Sequence, residues 1–186
     1  DKFTEGGNQL KSGETLDADI VVTATGLVLK NPGDTPIFVD GKKVDFPNSF
    51  TYKGMMVSDV PNMSNTTGYT NASWTLKADL INAYVCRLLN RMDKSKQDYC
   101  VARVSNPDMA SELSLDFSSG YVQRSVHLLP KQGNENPWRL FQNYFLDFLF
   151  LKTGSLQDDA MNFHRAGECF TTQEDDEQDN AEALVS

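Results

Sequence analysis

Between Leu76 and Met92, eight apolar residues recur at helical spacing: Leu76, Leu80, Ile81, Tyr84, Val85, Leu88, Leu89 and Met92. That periodicity predicts a long helix with one wide apolar face, which the rest of the chain has to cover. Ser73 or Thr75 can cap its start, and Asp93-Lys94-Ser95-Lys96 ends it.

The remaining elements are short. Gln9-Leu10-Lys11, Ser12-Gly13 and Glu14-Thr15-Leu16 predict a hairpin around a tight glycine turn. Asp19-Ile20-Val21-Val22-Thr23-Ala24 has the β-branched, apolar centre of a strand buried on both faces, and it stops at Thr25-Gly26. Residues 30–50, rich in Pro, Gly, Asp and Asn, form a crossing region with short extended pieces such as Ile37-Phe38-Val39. Lys53–Val57 and Asp98–Val104 predict strands, and Gly120–Val126 fits a strand or a helix. Asn136-Pro137 predicts a helix start, with Trp138, Phe141, Tyr144, Phe145, Phe148 and Leu149 on an aromatic face and Gly154 at the end. Alternating strands and helices give an α/β class, with an incomplete mixed sheet and two main helices.

A formal net charge of −9 argues against nucleic acid and anionic membranes as partners. Part of that charge lies in Glu174-Asp175-Asp176-Glu177, within a tail, 171–186, expected to be disordered. The longest apolar run, Phe148-Leu149-Phe150-Leu151, is too short to span a membrane. Cys86, Cys100 and Cys169 form no Cys-x-x-Cys pair, which fits a reducing compartment, so the expected location is the cytoplasm. In that setting Asn65-Thr66-Thr67 and Asn71-Ala72-Ser73 have no role as glycosylation sites. The polar start Asp1-Lys2-Phe3 carries neither a methionine nor a leader, so the chain is expected to begin partway through something longer.

Few residues suit chemistry of their own. His127 and His164 stand in no recognisable motif, no ligand spacing suits a metal, and Asp158-Asp159 reads as a solvated turn. There is no Gly-x-Gly-x-x-Gly and no P-loop, so the chain is not expected to bind a nucleotide by itself. One segment draws attention: Gly68-Tyr69-Thr70-Asn71-Ala72-Ser73-Trp74-Thr75, leading into the long helix. Unpaired amides and the helix dipole favour an electron-rich group at such a place, and a reduced flavin is one. An ordinary helix start with Trp74 in the core is the competing reading.

A resemblance separates these readings. Asp17-Ala18-Asp19-Ile20-Val21-Val22-Thr23-Ala24-Thr25-Gly26 resembles the Ala-Thr-Gly strand of flavin-containing and Baeyer–Villiger monooxygenases. Tyr52–Val57, Pro61-Asn62-Met63 and Gly68–Leu80 are similar to the next segments of that family, in the same order and spacing. Gly120–Ser125, Leu129–Gly133 and Pro137–Tyr144 are similar to the closing segment of the ethionamide-activating subgroup.

The resemblance implies a C-terminal fragment of a flavoprotein with two dinucleotide-binding domains, one for FAD and one for NADPH. Residues 1–27 would end the NADPH domain, 28–93 would cross over and complete the FAD domain, and 94–170 would be a C-terminal extension carrying the aromatic helix. Cofactor contacts are then expected at Thr25, Gly26, Gly68, Asn71, Ala72, Ser73, Trp74 and Thr75. The implied reaction uses O2 and NADPH to oxygenate a small apolar ketone or sulfide. Catalytic residues and both glycine-rich motifs are expected upstream of Asp1, so the fragment alone is expected to be inactive and to hold neither cofactor tightly. Exposed helix faces are expected to favour self-association. The alternatives are a non-catalytic binding or assembly module derived from this fold, or a flavoprotein reductase without oxygenation.

Overall fold

Hairpins open the chain in the computed structural model, which describes residues 2–114 and 119–167. β1 (Lys2–Thr4), β2 (Gly7–Gln9) and β3 (Thr15–Asp17) form an antiparallel sheet in the order β1-β2-β3, with Gln9 opposite Thr15. The hairpin expected at Gln9–Leu16 is therefore present. The strand expected at Asp19–Ala24 is not. That segment pairs with no described strand, and Ile20 and Val22 are each 83% exposed. A β-branched run makes a buried strand only where neighbours supply both ladders, and no described segment does so.

The crossing region folds into two small hairpins. β4 (Phe38–Val39) pairs with β5 (Lys42–Lys43) across Asp40-Gly41, both with positive φ, the geometry that matches strand twist. A 3-10 turn at Phe46–Asn48 leads to β6 (Thr51–Tyr52) and β7 (Met56–Val57). Lys53-Gly54 therefore forms the turn of this hairpin rather than the start of a strand, since both take positive φ.

α1 (Trp74–Ser95) lies where the periodicity predicts it, closing on Lys96 in the left-handed conformation. It buries Leu80, Ile81, Tyr84, Leu88 and Met92 in the main core with Tyr52, Met55 and Met56 of the β6–β7 hairpin. Leu76 and Leu89 stay exposed, so the buried stripe is narrower than the periodicity suggests. β8 (Tyr99–Ala102) lies where a strand was expected; β9 (Ser111–Leu113) comes next. Gly120–Val126 resolves into the short helix α2 (Gly120–Gln123) and the start of a 3-10 turn at Val126–Leu128. β10 (Lys131–Gly133) pairs with β9, and α3 (Tyr144–Asp147) runs on into a π-helical segment, Phe148–Thr153. β11 (Met161–His164), not foreseen, pairs with β8.

Every sheet is a small antiparallel one, and parallel pairing among the described residues is limited to the bridge between Phe50 and Lys131. The chain mixes helix and strand, but the expected mixed sheet is replaced by these separate ladders.

The aromatic helix starts later than expected. Asn143, not Asn136, is the cap: its side chain accepts hydrogen bonds from the amides of Phe145 and Leu146. Trp138 is drawn out of any helix by the core, where its ring meets those of Tyr52 and Phe50 edge-on at 5.6 and 6.2 Å. Gly154 ends the π segment as expected. Among the described residues, no helix is long and apolar enough to cross a membrane. Cys169 and the acidic tail lie outside the described residues.

Polar anchors join these pieces. Arg87 of α1 donates to the carbonyls of Leu151, Lys152 and Gly154 at 2.9, 2.7 and 2.8 Å. Those acceptors sit at the end of the π segment, where carbonyls lack helical partners. Asp158 is no solvated turn residue. It accepts from the Tyr52 hydroxyl at 2.8 Å and pairs with Lys53 at 3.0 Å, while Tyr52 also meets the Tyr84 hydroxyl at 3.1 Å. Burial, then the neighbouring Tyr84 and Asp158, pushes the Tyr52 phenol far above its ordinary range, so it stays protonated and donates.

These anchors lead to two measurable outcomes. Arg87→Met is expected to lower unfolding free energy by about 2–3 kcal/mol in denaturant titration, because charge-assisted bonds to three carbonyls are lost together. Asp59 is held above its ordinary range by burial, which the nearby Arg103 only partly offsets. A carboxyl raised on folding binds its proton more tightly when folded, so its contribution is full at acid pH and is lost as pH rises through the folded value. Asp59→Asn should therefore gain stability over the wild type at neutral pH, with the gain shrinking as pH falls into the carboxylate range.

Candidate functional site

The hairpin turn at Lys53-Gly54 and the start of α1 border an open groove of about 540 Å³. Its floor is apolar: Met55, Met56 and Val57 from the β6–β7 hairpin, with Leu129, Pro130 and Leu140 from the later chain. Leu29 to Gly33 form one rim, and Asn65, Thr66, Thr67 and Trp74 another. An apolar hollow with a few polar groups at its edge is the usual form of a small-molecule site.

Trp74 is the one expected contact residue that lines this groove, and it is 54% exposed, so it is not a core residue. Gly68 lies buried under it. A Cβ on Gly68 would stand 2.3 Å from the Trp74 ring and 2.7 Å from its Cα, so only glycine lets the chain pass this close. Asn71 is tied to the loop before α3, its amide donating to the Gln142 carbonyl at 3.1 Å. The Gln142 side chain in turn accepts from the Thr70 hydroxyl at 3.1 Å. Ala72, Ser73 and Thr75 are exposed at the start of α1. Ser73 makes no side-chain cap; its hydroxyl instead meets that of Thr75 at 2.9 Å. The first-turn amides thus lack the side-chain cap that usually satisfies one of them.

Thr25 and Gly26 are not in the groove. Arg124 reaches across to donate to the Thr25 carbonyl at 3.0 Å, and Gly26 turns with a φ of 78° beside the same guanidinium. Residues 68–75 therefore form one continuous feature, and 25–26 belong to a different contact.

Below the groove lies a buried pair that charge-based reading misses. Lys77 on α1 and Asp147 on α3 are 3.2 Å apart, with side chains only 3% and 8% exposed. The Lys77 ammonium also sits 5.2 Å from the centre of the Tyr69 ring. Burial first, then Asp147, raises the Tyr69 phenol well above its ordinary range. Cys100, also buried, has its thiol pushed up to about 11, which keeps it protonated and unreactive at neutral pH. Among the described residues no group of three or more His, Cys, Asp or Glu could hold a metal ion.

No protein-family model and no solved structure matches the chain. Its curated relatives are flavin enzymes. Over 163 residues, 88% of this chain, it is 47% identical to the FAD-containing monooxygenase EthA of Mycobacterium tuberculosis. It is 45% identical over 167 residues to the protein of the same name from Mycolicibacterium smegmatis. Over 169 residues it is 43% identical to a "Probable FAD-binding monooxygenase AlmA" of an Acinetobacter species. These alignments cover 33%, 34% and 34% of the three relatives, so the chain spans about a third of their length.

The Gly68–Trp74 approach gives a direct test of this local structure. Gly68→Ala forces its methyl against the Trp74 backbone as well as its ring, and is expected to cost about 2 kcal/mol in denaturant unfolding. Placing alanine at exposed Gly33, where nothing lies within 4 Å of a new Cβ, is the comparison. There the cost is limited to the strain of its left-handed φ of 70°, about 1 kcal/mol.

Proposed function

We propose that this chain, a relative of the FAD-containing monooxygenases over most of its own length, is the C-terminal part of such an enzyme and supplies one wall of its flavin and substrate cleft. The whole enzyme, in this reading, takes FAD and NADPH and oxygenates small apolar ketones or sulfides with O2. Residues 1–27 belong to its NADPH domain, 28–93 to its FAD domain and 94–170 to a C-terminal extension. The observation that carries the reading is the groove beside the start of α1, an apolar hollow bordered by a helix end whose capping serine makes no side-chain cap.

The residues present fit a flavin at this place in one respect and not in another. The exposed first turn at Ser73, Trp74 and Thr75 can offer amides to an electron-rich ring edge. The space next to Gly68 cannot take a ligand, because the Trp74 ring fills it. Ser73, Trp74 and Thr75 are therefore the residues that would hold the electron-rich edge of a flavin here. When bound, FAD supplies the oxygen-transfer chemistry.

This chain's residues do the positioning. Gln142 holds the loop ahead of α1 through Thr70 and Asn71, which fixes where the helix begins. Met55, Met56, Leu129 and Leu140 give the substrate an apolar bed that excludes water and sets its orientation. No described side chain is assigned a proton transfer.

The test joins this chain to the other two-thirds of a curated relative and measures NADPH consumption with a panel of ketones and sulfides, analysing products by mass. An ester, lactone or sulfoxide carrying oxygen from O2 supports the reading. NADPH oxidation that yields hydrogen peroxide alone would place the protein with flavin reductases. No oxidation with FAD bound would leave a binding module. In an active enzyme, Leu140→Trp at the half-buried edge of the groove is expected to raise KM about tenfold.

A further inference from the structure

Tyr52 is buried at the meeting point of a second tyrosine, a tryptophan and a carboxylate. Its hydroxyl donates to Asp158 at 2.8 Å and therefore accepts from the Tyr84 hydroxyl at 3.1 Å, and its ring meets that of Trp138 edge-on at 5.6 Å. Tyr52 and Tyr84 are 0% exposed and Trp138 is 2% exposed, whereas the Asp158 side chain is 26% exposed. The proton acceptor meets solvent, and neither phenol does.

One-electron oxidation turns a phenol into a strong acid, so the electron leaves readily only where a base stands within hydrogen-bond reach of the proton. Asp158 meets that condition. Lys53 adds a second. Its ammonium pairs with Asp158 at 3.0 Å and lies 5.0 Å from the centres of both the Tyr52 and Tyr84 rings, where it opposes positive charge on either. Electron and proton therefore leave Tyr52 together, and the oxygen left behind keeps its hydrogen bond from Tyr84. Met55 and Met56 share this core, and both line the groove. Their thioethers are the groups there most open to oxidative damage.

We propose that Trp138, Tyr52 and Asp158 form a proton-coupled relay that draws a one-electron oxidising equivalent out of the core and holds it on Tyr52, in place of the methionines of the groove. The oxidant belongs to the class of oxygen-centred radicals. It takes one electron from Trp138 and is reduced. The Trp138 radical cation then takes one electron from Tyr52, and the phenolic O–H bond breaks as its proton passes to Asp158. The products are intact Trp138, a neutral Tyr52 phenoxyl radical and a protonated Asp158. The relay needs neither cofactor nor substrate, so it does not rest on the function proposed above.

The test uses the full chain carrying Trp74→Phe, which leaves Trp138 as its one indole. A laser pulse absorbed by indole ejects an electron from Trp138, and dissolved oxygen takes it up. Decay of the indole radical band with matching growth of the phenoxyl band is expected. Tyr52→Phe, which keeps the ring, should abolish that growth although the other tyrosines remain. Asp158→Asn, which keeps an oxygen for the hydroxyl, should slow the transfer about a hundredfold, the scale of a lost proton acceptor. Circular dichroism checks the fold of each, and either variant alone keeps the proposal testable if the other unfolds. With sulfate radical as the oxidant, peptide mass analysis should find more sulfoxide at Met55 and Met56 in Tyr52→Phe than in the parent chain. Phenoxyl growth that survives Tyr52→Phe, transfer indifferent to Asp158→Asn, or equal sulfoxide in the two chains would overturn the proposal.

Discussion

One helix has to organise a chain whose other elements are mostly two to four residues long. α1 does this by its apolar stripe together with three polar side chains spaced along it. Lys77 holds α3 through Asp147, Tyr84 meets Tyr52 of the hairpin, and Arg87 collects the carbonyl ends of the π segment. Apart from the exposed Arg87 bond to the Lys152 carbonyl, each bond is formed in partly or wholly buried surroundings, where a satisfied polar group fixes geometry and an unsatisfied one is costly. The β6–β7 and β8–β11 ladders, which would be marginal alone, are stable as parts of this arrangement.

That arrangement explains which features can be read from the residues. α1 is legible because twenty-two residues of amphipathic repeat leave little choice. The Gln9–Leu16 hairpin is legible from its Gly turn. The aromatic helix is displaced from its expected start because Asn136-Pro137 looks like a cap, whereas Asn143 caps and Trp138 is claimed by the core. The run at Asp19–Ala24 misleads because local pattern states what a strand needs and not whether a neighbour exists to supply it.

The site divides in the same way. The Gly68–Thr75 segment stands out as a glycine-led helix start, and the structure sets Trp74 at a groove edge with Gly68 beneath it. The groove's floor gives no signal, since Met55, Met56, Leu129 and Leu140 look like any core residues until the fold leaves them facing a hollow. Lys77, Asp147 and Asp158 are invisible for a simpler reason. Charged residues are nearly always at the surface, so their burial is learned only from their partners. Thr25 and Gly26 lie apart from that segment, where the Thr25 carbonyl accepts a hydrogen bond from Arg124.

The bare segment from Ile20 to Val28 has a bearing on how the chain behaves in a tube. Ile20, Val22, Leu27 and Val28 all face water, and the backbone between them has no ladder among the described residues. With no ladder to hold its amides, that stretch should exchange hydrogen with solvent far sooner than α1, and its signal would report local opening and not the loss of the core.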